Sequence, residues 1–460
     1  MRCLARAAML VAALGTCAAV TAPVATGAGH QRPRTERVSV AADGTQGNSD
    51  SYTAGISADG RYATFRSMAT NLTPRVGGGL GLFIKDLRTG AVEQANVASD
   101  GTPADDSSFD IALSADGRYA VFDSRAGNLS PDKTPGETDL FVRDRRTGRT
   151  ELLLENKQHQ AGTSFEPSVS ADGRYVAFTS FRTDLVPGPS KDPVAVYVRD
   201  RWKGTTKRVS VRSDGSQAGT RSALPVISAD GSKVGFLSLG GLGEGEPGIG
   251  DSGPGLARPR LNTFYVHDLR TGRTELASRD RDGSNSGASD IGFSPDGHYA
   301  LFSTRSPGVV PGKTTQTTDI YARDLKTGVT RRLSLAHDGS EAQGDSRGPV
   351  MSADNRKVFF TSTAPNLIPG GSGGSGGSGG TSGTGGSTGS RSRTAVYARD
   401  LLTGAVQRLD VADDGTPADG DSSGVAVDRS GRTAVFTSAA DNLVPGDTNK
   451  ADDVFLRRVR

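Results

Sequence analysis

Three carboxylates occupy one equivalent position in a repeated segment of this chain. Asp110, Glu166 and Asp290 each stand four residues before the serine of a Ser-Ala-Asp-Gly or Ser-Pro-Asp-Gly sequence. Carboxylates that converge on one point can bind a ligand or exchange protons with it, and strongly perturbed pKa values would mark such a site. Because Phe109 and Phe165 precede two of them, we predict a ligand-binding site at Phe109, Asp110, Phe165, Glu166 and Asp290. Capping of the strand that follows is the alternative role.

A second group of oxygen-bearing side chains lies near the C-terminal end. Asp447, Asn449 and Asp452 have spacings typical of calcium ligands, although they do not form an intact EF-hand loop. We retain them as candidate calcium ligands, with solvated turn acids as the alternative. Apart from this calcium, the sequence predicts no cofactor.

Familiar catalytic signatures are missing from the sequence. It contains no Gly-x-Ser-x-Gly elbow, phosphate loop or dinucleotide fingerprint in a strand-turn-helix context. No two of the five histidines are spaced as ligands of one metal ion; they are His30, His159, His267, His298 and His337. We therefore assign no catalytic residue and no zinc site, and we expect a protein that is not an enzyme.

The elements that position these side chains come from a sevenfold repeat. Ser170 to Phe178 is one copy, and it contains an Asp-Gly pair. The position of that glycine recurs at 60, 117, 173, 231, 297, 355 and 431. An Asp-Gly pair between two apolar runs indicates a β-hairpin, whose first and second strands we name A and B. A third strand, C, ends in aspartate, as in Leu140 to Asp144. A fourth strand, D, is predicted at Arg208–Val211, Arg332–Leu335 and Arg408–Val411.

Strands B and C are apolar at adjacent positions, so both of their faces should be buried. A four-stranded antiparallel unit of this kind packs between copies of itself, which predicts an all-β, seven-bladed β-propeller over residues 37–460. The last repeat stops after strand C, whereas Arg37–Val40 has the sequence of a strand D. We therefore predict that this N-terminal strand closes the ring. The aspartates that end strand C should accept hydrogen bonds from the following turn.

Two insertions lengthen the period between strands B and C. Residues 239–259 are rich in glycine and proline, and residues 370–392 are almost wholly glycine, serine and threonine. Their composition predicts loops, flexible in the second case, and not domain boundaries.

The N-terminus has the features of an export signal. Arg2 and Arg6 precede a short apolar run, and small residues follow it. We predict a signal peptide at residues 1–28, a flexible leader at 29–36 and a secreted protein without a transmembrane span. A cell-surface lipoprotein anchored through Cys17 is the alternative. The formal net charge is +3, with basic residues spread evenly beside acids, and no nucleic-acid partner is expected.

The repeat resembles the TolB-like propeller family in its secreted bacterial form. The resemblance rests on Ser170-Ala171-Asp172-Gly173 and Ser294-Pro295-Asp296-Gly297, each followed by an aromatic strand B and a strand C ending in Arg-Asp. The chain departs from TolB in having no α/β domain before the propeller. It is also similar to the propellers of prolyl-oligopeptidase-type peptidases. The TolB resemblance implies an extracytoplasmic binding propeller.

Two functions remain open at this point. The first is a monomeric, non-catalytic scaffold that binds an envelope protein or glycan through the face carrying the longer loops. The second is an extracytoplasmic enzyme, such as a lactonase, glycosidase or lyase, with acidic residues at the channel mouth. Convergence of several acids with perturbed pKa values would favour the second.

Overall fold

The repeat folds into seven separate antiparallel sheets. The computed structural model describes residues 34–74, 79–133, 136–154, 162–243, 262–370 and 393–459, and within them it contains 28 strands and no helix. Each sheet has four strands, and six of the seven sheets use four consecutive segments of the chain. Most of both predicted insertions, together with the predicted signal peptide, lies outside the described residues.

The strands are numbered along the chain. The inner strands, A, are β2 (Ser51–Ile56), β6 (Ser108–Leu113), β10 (Ser164–Val169), β14 (Ser222–Ile227), β18 (Ile291–Phe293), β22 (Ser346–Met351) and β26 (Ser422–Val427). The strands B are β3 (Tyr62–Ser67), β7 (Tyr119–Ser124), β11 (Tyr175–Ser180), β15 (Lys233–Ser238), β19 (Tyr299–Thr304), β23 (Lys357–Ser362) and β27 (Thr433–Ser438). The strands C are β4 (Gly81–Asp86), β8 (Asp139–Asp144), β12 (Ala195–Asp200), β16 (Thr263–Asp268), β20 (Asp319–Asp324), β24 (Ala395–Asp400) and β28 (Asp453–Arg458). The outer strands, D, are β1 (Thr35–Arg37), β5 (Val92–Gln94), β9 (Arg149–Leu152), β13 (Thr205–Arg208), β17 (Thr274–Leu276), β21 (Thr330–Arg332) and β25 (Val406–Arg408).

The inner strands form a closed ring. Each of the seven contacts the inner strand of the sheet before and after it, and β26 contacts β2. The sheets are therefore the blades of a propeller, numbered 1 to 7 from the sheet that begins with β2. This confirms the predicted seven-bladed, all-β fold.

The hydrophobic core lies between neighbouring blades. One cluster joins Leu82 and Ile84 of blade 1 to Ile111 and Phe122 of blade 2, and the same arrangement recurs around the ring. Within a blade, aromatic rings on strands B and C stack, as Phe122 and Phe141 do with centroids 5.7 Å apart. Burial of each such side chain contributes about 1.5–3 kcal/mol. Strands B and C are apolar on both faces because each blade is covered on both sides.

The N-terminal strand closes blade 7. β1 pairs antiparallel with β28, with Thr35 opposite Arg457 and Arg37 opposite Phe455. The pairing continues beyond the strand, since the Val38 amide donates to the Val454 carbonyl at 2.7 Å. The predicted closure is confirmed, with the strand beginning at Thr35, two residues before its predicted start.

The predicted positions of the outer strands need a correction. Arg208 to Val211 was predicted to be a strand D, but β13 ends at Arg208, and β21 and β25 likewise end at Arg332 and Arg408. Beyond this point a side chain replaces the next backbone partner. The Val196 amide donates to the Ser210 hydroxyl at 3.1 Å, and the chain then turns towards the next blade. Val209, between Arg208 and Ser210, stays buried. The apolar pattern of the sequence therefore continues past the end of the strand.

Short turns connect the strands on the face opposite the predicted site. The strand-C aspartates accept the amide hydrogens of the following turn, as Asp324 does from Lys326 and Thr327. This confirms their predicted structural role. Glycine is required in the Asp-Gly turns: Gly173 has φ +72°, and a Cβ there would lie 2.4 Å from the Tyr119 ring of the preceding blade.

Candidate functional site

The predicted acids lie at one level of the channel wall. The residue four positions before the Asp-Gly turn motif is equivalent in every blade; these residues are Thr53, Asp110, Glu166, Leu224, Asp290, Gly348 and Gly424. In six blades the pairing of strands A and B is irregular at or next to this point, between Phe165 and Ser168 in blade 3, for example. Such a bulge turns the side chain away from the regular alternation of the strand.

A cavity of about 460 Å³ brings the three predicted acids together. Asp110 of blade 2, Glu166 of blade 3 and Asp290 of blade 5 all line it. Arg66 of blade 1 and Leu224 of blade 4 also line this cavity. Because of the repeat, Glu166 and Asp290 line the same cavity as Asp110, although they lie 56 and 180 positions after it in the sequence.

The two predicted phenylalanines lie beside this cavity and not among the residues that line it. Phe109 lies under the guanidinium of Arg125, which is 5.3 Å from the ring centroid. Phe165 stacks on Phe181 with centroids 5.7 Å apart. Both phenylalanines therefore pack against neighbouring side chains outside the set that lines the cavity.

Asp110 lies between a cation and another carboxyl group. Its Oδ1 accepts from Arg66 Nη1 at 3.3 Å, and both side chains are partly exposed. Its backbone amide donates to Asp123 Oδ1 at 2.7 Å. The Asp110 carboxylate thus faces solvent beside a guanidinium, while its backbone is fixed by the strand behind it.

Asp123 is a site residue that the sequence analysis missed. It lies within β7, where its side chain is only 2% exposed. Burial raises the pKa of Asp123 to about 7; the Asp110 amide opposes this effect, and the negative charges of Asp110 and Glu166 add to it. The sequence signal that could have identified it is an acidic residue inside a strand B that is otherwise largely apolar.

Glu166 is held by hydrogen bonds from two blades. Its Oε2 accepts from the Thr179 hydroxyl at 2.7 Å and from the Leu224 amide at 2.8 Å. Burial raises the pKa of Glu166, these two bonds lower it, and the charge of Asp110 raises it further. Its φ of +57° is left-handed, a strained conformation that is enriched at functional sites in proteins.

Asp290 lies on a more cationic side of the mouth. Its Oδ2 accepts from the Ser289 hydroxyl at 3.0 Å and is 3.9 Å from Arg347 Nη1. Arg347 also lines a neighbouring cavity of about 680 Å³ with Asp345, Arg393 and other residues of blades 6 and 7. The mouth therefore combines carboxylates and guanidinium groups.

The candidate calcium ligands engage other partners in the structure. Asp447 Oδ2 pairs with Arg37 Nη2 at 2.8 Å, and its Oδ1 accepts from Gln46. The side-chain amide of Asn449 donates to the Gly47 carbonyl, and the Asp452 backbone amide donates to Asp50. Across the described ranges, no group of three or more His, Cys, Asp or Glu side chains could hold a metal ion together. Calcium binding stays a prediction.

Comparisons with known proteins identify the fold. No protein-family model matches the chain, and no curated protein matches it in sequence. An oligogalacturonate lyase from Vibrio parahaemolyticus is similar in structure, with 12% identity, a TM-score of 0.55 and 93% of each chain covered. A further oligogalacturonate lyase, in complex with manganese, gives 12% identity, a TM-score of 0.54 and the same coverage. The propeller domain of the Trilobed protease from Pyrococcus furiosus gives 13% identity and a TM-score of 0.50, covering 89% of this chain and 93% of that one.

Structures of TolB proteins are also among the matches. TolB from Acinetobacter baumannii gives 16% identity and a TM-score of 0.37 over 88% of this chain and 81% of that one. The structural neighbours thus include TolB proteins and other propellers, as the sequence resemblance implied. At these identities the likeness shows the fold alone.

The expectation of a non-catalytic scaffold is wrong and is corrected here. Two of the neighbours that match this chain over almost its whole length are lyases, and a third is a domain of a protease. These findings favour the alternative of an enzyme with acidic residues at the channel mouth. The sequence analysis kept this function only as its alternative, because the carboxyls that converge come from different blades and form no local motif.

One structural neighbour contains manganese, so the side chains at this mouth were compared with the ligands that such an ion needs. In the part of the chain that the structure describes, no suitable cluster of metal-binding side chains occurs. The carboxylates at the mouth are already engaged, Asp110 by Arg66 and Glu166 by Thr179 and Leu224. We derive no chemical step through a metal ion.

The described chain also contains no helix with the length and apolarity that a bilayer crossing requires.

Proposed function

We propose that this protein is an extracytoplasmic enzyme that cleaves an acidic saccharide by β-elimination at the axial mouth. One observation carries the proposal: the carboxyls of Asp110 and Glu166 line one open cavity with the Arg66 guanidinium, and the buried Asp123 carboxyl accepts a hydrogen bond from the Asp110 amide. Burial raises the pKa of both Glu166 and Asp123. Raised pKa values and convergence from separate blades are what acid–base chemistry requires.

Arg66 is suited to bind the carboxylate of a uronate ring. A guanidinium pairs with a carboxylate through charge-assisted hydrogen bonds, and it stabilises the additional negative charge when the neighbouring carbon loses its proton. In the structure Asp110 occupies this partner position at 3.3 Å in a partly exposed pair. A substrate carboxylate can replace Asp110 because an exposed ion pair contributes only about 0–1 kcal/mol.

Glu166 is suited to move the proton. It lines the cavity, and burial raises its pKa, which makes its carboxylate a stronger base. As base it removes the proton from the carbon next to the substrate carboxylate. The electron pair forms a carbon–carbon double bond while the bond to the leaving oxygen breaks, and protonated Glu166 returns the proton to that oxygen. The bonds from Thr179 and Leu224 fix the carboxyl during this exchange.

The proposed location supports the choice of substrate. The predicted signal at residues 1–28 would deliver the propeller outside the cytoplasm, where acidic polysaccharides of envelopes and walls are found. The glycan that was predicted as a binding partner becomes the substrate in this proposal. Two structural neighbours are lyases of oligogalacturonate, which makes that saccharide the first compound to test.

The test is an activity assay on purified protein with acidic and neutral oligosaccharides. Elimination produces an unsaturated uronate that absorbs ultraviolet light, whereas hydrolysis by a glycosidase produces reducing ends without this absorbance. We expect the unsaturated product, its loss in Glu166→Gln, and full activity in the exposed control Glu151→Gln. Absence of turnover on every acidic saccharide, or full activity of Glu166→Gln, would refute the proposal.

A further inference from the structure

Leu224 has an unusual combination of backbone and side-chain properties. Its φ is +56°, in the left-handed region that favours glycine, and its side chain is 45% exposed. The equivalent residues of blades 6 and 7 are Gly348 and Gly424, each with φ +62°. A branched side chain at such a φ is strained, so two blades use the residue that avoids the strain and blade 4 does not.

The hydrogen bond of the Leu224 backbone explains its left-handed conformation, but it does not explain why the residue is a leucine. The Leu224 amide donates to Glu166 Oε2 at 2.8 Å, which ties blade 4 to the candidate base. Glycine would supply the same amide at the same φ without strain. Leucine therefore adds strain at this position and leaves almost half of an apolar residue exposed.

A second exposed apolar side chain belongs to the same blade as Glu166. Phe181 is 47% exposed and stacks on Phe165, the residue before Glu166. Thr179, two residues before Phe181, donates to the same Glu166 oxygen that accepts from Leu224. Among the described residues only six large hydrophobic side chains are exposed, and these two are linked through the candidate base.

We propose that Leu224 and Phe181 form an apolar subsite that contacts the C–H face of one sugar ring of the acidic oligosaccharide and holds that ring beside Glu166. The inference rests on the proposed function and deepens it by naming residues that determine substrate affinity. The occupant follows from the chemistry around the patch. A sugar ring presents apolar C–H groups to Leu224 and Phe181, while its hydroxyls and carboxylate reach Glu166 and Arg66, which line the same cavity as Leu224.

The experiment measures equilibrium binding of an oligogalacturonate, with a neutral oligosaccharide of equal length as the second probe. Leu224→Gly keeps the amide that Glu166 needs and removes only the side chain and its strain. We expect its melting temperature to equal or exceed that of the wild type, while its affinity for the oligogalacturonate falls about tenfold, equivalent to about 1.4 kcal/mol. Phe181→Ala should weaken binding similarly. The control Leu402→Ala, at an exposed turn on the opposite face, should leave affinity unchanged.

The outcomes separate this inference from the proposed reaction. Turnover of the oligogalacturonate with unchanged affinity in Leu224→Gly and Phe181→Ala would overturn the subsite and leave the reaction standing. Binding that depends on Leu224 and Phe181 without turnover would support the subsite and refute the reaction. A fall in melting temperature that accompanies lost affinity in Leu224→Gly would show that the leucine is structural, and would overturn the subsite. Failure of the wild type to bind the oligogalacturonate would overturn the subsite, whereas the reaction is overturned only if every acidic saccharide is left uncleaved.

Discussion

Replacing Asp123 by asparagine should make the protein more stable at alkaline pH and less active. The carboxyl is 2% exposed, and burial raises its pKa to about 7. In the unfolded chain the same carboxyl titrates near 3.8. Between these values the folded state holds a proton that the unfolded state has released. Stability from this group is therefore fully present below the unfolded pKa and is lost as the pH rises to about 7.

The size of the effect follows from the distance between the two pKa values. Each pH unit in the window costs the wild type about 1.4 kcal/mol, so by pH 8 the total is on the order of 4 kcal/mol. The substituted amide stays neutral at every pH, and its side-chain oxygen can still accept the Asp110 amide, which lies 2.7 Å from Asp123 Oδ1. We expect Asp123→Asn to match the wild type near pH 4 and to be more stable than it at pH 8.

The assay is denaturant unfolding of both proteins from pH 4 to pH 8, with turnover measured at each pH. The exposed control Asp132→Asn should show no comparable pH-dependent difference. Activity should fall in Asp123→Asn above about pH 7, where the wild-type carboxyl is charged and acts on Asp110 and Glu166, and should match the wild type at lower pH. Equal stability of variant and wild type at every pH, or a variant that is less stable at pH 8, would refute the argument that Asp123 is buried at a cost.

Three other predictions concern the ring and the export of the chain. Deleting residues up to Val40 removes β1 and the side chain of Val38, which is 1% exposed; loss of that side chain alone costs about 1.5–3 kcal/mol, so the melting temperature should fall well below that of a deletion of residues 1–33. Arg37→Ala leaves the buried carboxylates of Asp447 and Asp453 without their cation and should destabilise the protein by about 3–5 kcal/mol at neutral pH in chemical unfolding. This loss should shrink as the pH is lowered, because burial raises the pKa of both carboxyls and protonation removes their uncompensated charge; a loss independent of pH would contradict this. The intact mass of exported protein should show cleavage between Ala22 and Ala28, and retention of Met1 or a lipid on Cys17 would contradict the predicted signal.

Much of the architecture could be predicted because the repeat carries it. Asp-Gly turns and alternating apolar residues specify hairpins locally, and seven copies with an orphan N-terminal strand specify the ring. The outer strands were misplaced by about three residues because a side chain such as that of Ser210 takes over a backbone bond. Such an exchange leaves the apolar pattern unchanged, so the pattern alone cannot reveal it.

The site could be predicted in part for the same reason. Equivalent positions in a repeat lie at one level of the ring, which is why Asp110, Glu166 and Asp290 line one cavity, while their role as a ligand site stays a prediction. The chemistry of that cavity depends on features that no single repeat contains. The pKa of Asp123 depends on burial by neighbouring strands, and the left-handed conformation of Leu224 depends on an irregularity in the pairing of β14 with β15.

The pairing of β1 with β28 also sets the order in which this protein can fold. Six blades are each built from one continuous stretch of chain, so each can form as soon as its own residues are available. Blade 7 joins residues 35–37 to residues 455–457, and no amount of local folding completes it until both segments are present. A chain interrupted before Val454 leaves the first strand without its partner and an open sheet edge on blade 7, the kind of surface that promotes aggregation. The ring therefore makes the earliest strand of the propeller dependent on the last one synthesised.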